Sequence, residues 1–169
     1  ATLPDPMDPT GRSMLKQPQN ITEVEVQGLE MEIGYRLSKS LRLFFNHQYA
    51  ETTDRSTGQI LDNHPRNTAR FGATWYDRYF GDKVGVTLGL AGRYVGSQRY
   101  TSFTPPQQSG RIGGYTTWDS RMAVDFWEGR IKVFADVFNI FARQTYATSA
   151  DDYLPERNWM IGAQLSFAF

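Results

Sequence analysis

From Val24 onward, apolar and polar residues alternate with a period of two, the pattern of strands that show one face to an apolar environment. Val24 and Val26 alternate with Glu25 and Gln27. The phase then flips at Gly28, and Leu29, Met31, Ile33, Tyr35 and Leu37 alternate with Glu30, Glu32, Gly34 and Arg36. A one-residue flip at a glycine predicts a β-bulge. Past Ser38, Lys39 and Ser40, a second strand sets Leu41, Leu43, Phe45, His47 and Tyr49 against Arg42, Phe44, Asn46 and Gln48, forming a tight hairpin with the first. Five further strands follow, carrying Ala69 to Trp75, Val84 to Tyr94, Trp118 to Phe126, Ile131 to Val137 and Trp159 to Phe169. The pattern predicts seven strands and no helix. Residues 1–19 hold Pro4, Pro6, Pro9 and Pro18, which withhold backbone donors, so an irregular segment or extracellular loop is expected there, with the strands in 20–169. No basic stretch followed by an apolar one marks that start as a signal peptide.

The connections alternate in length. Short turns are predicted at 38–40, 77–83 and 128–129, and long polar stretches at 50–67, 95–114 and 142–157. One end of the sheet is trimmed and the other elaborated, as in outer-membrane barrels with short periplasmic turns and long extracellular loops. A soluble sandwich or a soluble barrel has no reason for that asymmetry.

Composition narrows the field further. Eighteen Lys plus Arg balance 18 Asp plus Glu, so no net field attracts nucleic acid. Mean hydropathy is -0.52, and no run approaches the ~18 apolar residues of a membrane-spanning helix. Cysteine is absent and only His47 and His64 are present, which removes disulfides, thiolate catalysis and Cys-ligated zinc and leaves little for a histidine metal site. Eleven Phe, 9 Tyr, 4 Trp and 15 Gly in so polar a chain fit alternating strands.

Charge placement bears on which face meets water. Arg36, Arg42, Arg70, Arg93, Arg121, Lys132, Glu30, Glu32, Asp119, Asp125 and Asp136 all fall on the mixed face. That face would be outside in a soluble barrel and inside in a large membrane barrel, because a Lys or Arg at the lipid midplane costs ~2–4 kcal/mol. Aromatic residues at the strand ends favour the membrane arrangement. Tyr35, Trp75, Tyr76, Tyr79, Phe80, Trp127 and Phe169 lie at the short-turn end, and Trp118, Phe141, Tyr146 and Trp159 at the other, like two interfacial belts. Seven antiparallel strands leave edges that run parallel. An open edge in hydrocarbon strands backbone groups without partners, so further strands must complete the wall.

Several short signatures, in order, resemble the C-terminal barrel third of TonB-dependent outer-membrane receptors, the plugged barrels of 22 strands. These are Gly28-Leu29-Glu30, Pro65-Arg66-Asn67 leading to Trp75-Tyr76, Asp119, the run from Val137 to Phe141, Tyr146, Pro155-Glu156-Arg157 and the terminal Phe169. The resemblance implies an all-β transmembrane antiparallel barrel in the bacterial outer membrane, without catalysis and without a cofactor. Its partners would be the remaining barrel strands, a plug domain, the TonB complex, outer-membrane lipid and lipopolysaccharide. Its ligand would be a ferric siderophore first, then haem, cobalamin or an oligosaccharide. Leu165, Phe167 and Phe169 resemble the family's C-terminal assembly signal. The alternatives are a structural outer-membrane barrel completed by oligomerisation and a soluble barrel for small apolar ligands.

For ligand capture, Arg99, Tyr100, Phe103, Arg111 and Tyr115 in the long 95–114 stretch, with Tyr146 and Tyr153 in the last, are the candidates. Arginine gives charge-assisted hydrogen bonds and tyrosine a flat surface. Glu30 and Glu32 lie ~6.5 Å apart on one strand face, a spacing open to paired-carboxylate hydrolysis, but no sugar platform accompanies them. They are better explained as wall charges paired with Arg36, Arg42 or Arg70. His47 should project with the apolar face, and His64, beside Asp62, should sit in an exposed loop.

Overall fold

The protein is described here from a computed structural model, which defines residues 2–4, 14–16, 23–101, 109–127, 129–146 and 154–166. The strands are β1 (Thr2–Pro4), β2 (Met14–Lys16), β3 (Val24–Arg36), β4 (Leu41–Asp54), β5 (Gln59–Ile60), β6 (Asn67–Tyr79), β7 (Val84–Val95), β8 (Gln98–Thr101), β9 (Ser109–Ile112), β10 (Tyr115–Phe126), β11 (Ile131–Phe138) and β12 (Asn158–Leu165). The seven predicted strands form one antiparallel sheet in chain order, β3-β4-β6-β7-β10-β11-β12, with β3 and β12 as its edges. The N-terminal segment departs from the irregular reading, since β1 pairs antiparallel with β2. A three-residue ladder with Pro4 at its end needs few of the donors that proline withholds.

Register carries the alternation across the whole sheet. One row runs Ile33, Phe45, Phe71, Gly92, Trp118, and the next Tyr35, Leu43, Ala73, Leu90, Ser120, Val137, Trp159. The opposite face carries Arg36, Arg42, Thr74, Gly89, Arg121, Asp136 in a single row. Along the apolar face Phe71 covers Gly92, where a Cβ would lie 2.7 Å from the ring, and meets Trp118 edge-on at 5.3 Å. His47 sits on this face between Met31 and Ala69, stacked at 6.4 Å on Phe45. Tyr76 belongs to the ionic face instead, in the row of Thr87 and Ala123, with Arg78 over its ring.

The predicted bulge at Gly28 is not formed. Pairing is unbroken from Val24 opposite Asp54 to Arg36 opposite Arg42, so Val24 and Val26 share the face of Glu30 and Glu32. The phase flip marks a change of surroundings along a continuous strand, with the apolar band ending near Leu29. Glycine is needed at 28 because a Cβ would run into the Tyr49 carbonyl oxygen.

Among the described residues no second layer covers the apolar face. Leu29, Met122 and Leu88 on it are 70%, 55% and 44% exposed. Among the described residues the buried apolar side chains are Val95, Ile112, Tyr115 and Ala123. The three in the main sheet all lie on the ionic face, where Asp136 is also buried. Side chains that crowd on one face and splay on the other belong to a wall curved with the crowded face inward. A soluble barrel would need the reverse, a dry apolar centre.

The last long connection is tied down by one side chain. Asn139, 6% exposed and in left-handed conformation at φ 51°, donates its amide N–H to Asp119 Oδ1 (2.9 Å). Its Nδ2 donates to the carbonyls of Arg143 (3.1 Å) and Pro155 (3.0 Å), and its Oδ1 accepts from the Arg143 N–H (2.8 Å). Both flanks of the 142–157 stretch are thereby fixed to β10. Asn139→Ala removes three side-chain hydrogen bonds of a buried residue and should lower stability by about 1–3 kcal/mol, read from the denaturant midpoint of the refolded protein.

Candidate functional site

The long connections are more ordered than their polarity implies. β4 continues to Asp54, beyond its predicted end, and β5 folds back on it with Ile60 opposite Thr53. Within the 95–114 stretch β8 pairs with β9, setting Arg99 opposite Arg111 and Tyr100 opposite Gly110. Three contacts join these pieces, one of them Arg99 Nε at 4.0 Å from Asp62 Oδ1. Asn63 N–H donates to the Arg99 carbonyl at 2.8 Å, and the Thr101 hydroxyl donates to Asp62 Oδ2 at 2.5 Å.

Between the two pieces lies a cavity of about 550 Å³ whose walls include His64, Arg66, Ser97, Gln98, Arg99 and Arg111. Ile60 and Leu61 add an apolar side, and among the described residues no carboxylate lines it. Arg111 is held by its Nε and Nη2 donating to Ser97 Oγ at 3.2 and 2.6 Å. Arg66 pairs with Glu51 at 3.0 Å, and His64 Nδ1 lies 2.7 Å from the Asp62 carbonyl, which orients the ring. Three guanidinium groups and an imidazole with an apolar flank are suited to an anion that carries an apolar body.

The sequence candidates divide accordingly. Arg99 and Arg111 come together in this cavity, and Tyr100 lies beside it with its ring over Gly110. Tyr115 does not belong to a loop. It begins β10, opposite Val95 on the ionic face, and is 8% exposed, because the strand starts three residues earlier than its apolar pattern. Tyr146 lies outside the cavity lining, and Phe103 and Tyr153 lie outside the described residues. Leu165 is exposed on the apolar face opposite Ile131, whereas Phe167 and Phe169 are outside the described residues. Arg66, Ser97 and Gln98 were not singled out as ligand contacts. Their signal is tertiary, since the 60–66 segment meets 97–111 only after folding.

Glu30 and Glu32 face Gln48 and Asn46 and make no ion pair with Arg36, Arg42 or Arg70. Separation across the sheet is the reason, as the nearest of these arginines on their rows, Arg70, is two strands away from Glu32. Among the described residues no cluster of His, Asp and Glu could hold a metal ion.

At the tip of β4, the Ser56 hydroxyl and amide donate to Asp54 Oδ1 at 2.6 and 2.8 Å. The Ser56 hydroxyl first, then its amide, hold this exposed carboxyl below the usual aspartate value of 3.8. A lowered value stabilises the turn above the unfolded value and loses that contribution as pH falls through the folded one. Amide exchange at residues 56–58 should therefore quicken as pH drops below 3.8, after correction for intrinsic rates, and Ser56→Ala should quicken it at neutral pH.

Known proteins place this wall. The chain is 28% identical over 137 residues to the ferrichrome outer membrane transporter/phage receptor of Escherichia coli (strain K12), covering 78% of this chain and 18% of that one. Its fold matches the ferripyoverdine receptor of the outer membrane of Pseudomonas aeruginosa with a TM-score of 0.67 at 18% identity, over 85% of this chain and 20% of the receptor. It also matches the ferric yersiniabactin uptake receptor from Yersinia pestis with a TM-score of 0.57 at 18% identity, over 83% and 23%. The chain thus spans about a fifth of the length of these relatives. The family profile of the TonB dependent receptor-like β-barrel matches residues 1–140. An antiparallel wall with its apolar face uncovered and its ions turned inward, matched over most of its length by that profile, belongs to the TonB-dependent receptor β-barrel family of the bacterial outer membrane.

Proposed function

We propose that this chain is the C-terminal barrel portion of a receptor that imports a ferric siderophore or a similarly scarce nutrient, with 20–169 as wall and 1–19 as an extracellular segment. The cavity holding Arg66, Arg99 and Arg111, which no carboxylate of the described residues lines, supports this reading above all. It lies at the end with long connections, where binding residues are carried on a rigid scaffold. The ligand is held there by its anionic groups, with Tyr100 beside it and Tyr115, Tyr146, Phe103 and Tyr153 among the further contacts expected from the sequence. Energy reaches the barrel through TonB acting on a plug domain, lipopolysaccharide surrounds the outer rim, and Leu165, Phe167 and Phe169 act as the assembly signal. Kinship to transporters of ferric chelates favours iron over other cargo.

Uptake of radioactive iron chelates by cells producing the parent protein tests the reading. Failure to bind or import any iron chelate, cobalamin or glycan would leave the structural barrel in its place. Arg99→Gln with Arg111→Gln should weaken binding of an anionic ferric chelate at least ~10-fold while a neutral chelate changes less, measured by fluorescence quenching. On the wall, Leu88→Arg should cost ~2–4 kcal/mol of folding free energy in bilayers. Thr87→Arg, one residue earlier and facing the other way, should cost ~1 kcal/mol or less, both measured by reversible refolding.

A further inference from the structure

Deep in the sheet, Arg70 of β6 stands directly opposite Arg93 of β7, both on the ionic face. Directly opposed like charges destabilise a ladder, so such a pair calls for a negative partner. No carboxylate of the described sheet pairs with it. Arg70 and Arg93 are flanked along their row by Asn46 and Thr117, and neither arginine is within 4.0 Å of a carboxylate among the described residues. Missing edge strands cannot be the reason, because β4, β6, β7 and β10 are all present around this pair.

The two guanidinium groups line a cavity of about 680 Å³ on the ionic face together with Asn46, Gln48, Thr68 and Asp119. Asp119, the carboxylate nearest the pair on β10, is already engaged by the Asn139 amide. Glu30 and Glu32 close the far side of the cavity, across Gln48 and Asn46. Arg66, in the upper cavity, lies four residues along the chain from Arg70, ~13 Å by strand rise.

We propose that Arg70 and Arg93 form an anion clamp on the inner wall, a carboxylate site below and separate from the upper cavity. Two adjacent planar forks match the oxygens of a carboxylate, with the Asn46 and Gln48 side-chain amides as further donors. The carboxylate has two sources, a side chain from the rest of the parent protein inside the barrel or a carboxylate of the ligand on its way through. The proposal rests on the barrel orientation and not on which nutrient is carried.

Equilibrium binding of radiolabelled citrate to the full-length parent protein tests it, in an Arg99→Gln, Arg111→Gln background that disables the upper cavity. A free-anion site gives citrate binding that falls at least ~10-fold in Arg70→Gln with Arg93→Gln and is kept in Arg130→Gln, an exposed turn variant. A site filled by the protein's own carboxylate gives no citrate binding. It gives instead faster amide exchange, in the Arg70→Gln, Arg93→Gln variant, in a segment outside residues 1–169. Neither citrate binding nor altered exchange, in a variant that still refolds, overturns the clamp. Loss of ferric-chelate uptake with citrate binding intact would count against the nutrient reading alone.

Discussion

Everything in this wall follows from the need to satisfy each backbone hydrogen bond while one face is greasy and the other charged. Hydrocarbon offers no partner to an N–H or a carbonyl, so only a closed ladder of strands can stand in it. The register is unbroken between all six neighbouring pairs of the main sheet, and it keeps Glu30, Glu32, Arg42, Arg70, Arg93, Arg121 and Asp136 on the same side, while Glu25, Glu51 and Asp77 fall on the other face near the strand ends. A slip of one residue in any pair would turn arginines toward lipid. Stability and orientation are therefore the same property here. The apolar residues contribute by being left uncovered, which a water-soluble fold could not tolerate over so large a face.

The wall was legible in the sequence because period-two alternation is local. Leu41 to Tyr49, or Val84 to Tyr94, declare both strand and face without reference to any other residue. Features that depend on distant pairing were not. Gly28 looked like a bulge because Val24 and Val26 are out of phase with Leu29, yet the strand runs straight on and only its surroundings change. Glu30 and Glu32 looked like partners for nearby arginines, but the sheet sets those arginines on other rows or two strands away. The upper cavity shows the same limit. Arg99 and Arg111 could be picked out by type, whereas Arg66 and Ser97 join them only because the segment after β5 packs against the β8–β9 hairpin.

Basic groups in the two cavities are held in different ways. In the upper cavity Arg111 rests on a serine hydroxyl and Arg66 on a glutamate at the rim, so each is oriented before any ligand arrives. On the inner wall Arg121 is steadied by Asp136 at 3.0 Å and by the ring of Phe134, while Arg70 and Arg93 have no carboxylate within 4.0 Å among the described residues. Neutralised and unneutralised guanidinium groups thus alternate over one continuous surface.

The direction of the two outermost strands has a bearing on assembly. β3 and β12 both descend from the elaborated rim to the trimmed one. Identical copies seated upright in one bilayer would meet with neighbouring strands travelling the same way, and the alternating up-and-down weave would break at every seam. An odd number of additional strands removes the mismatch and restores the alternation at both edges.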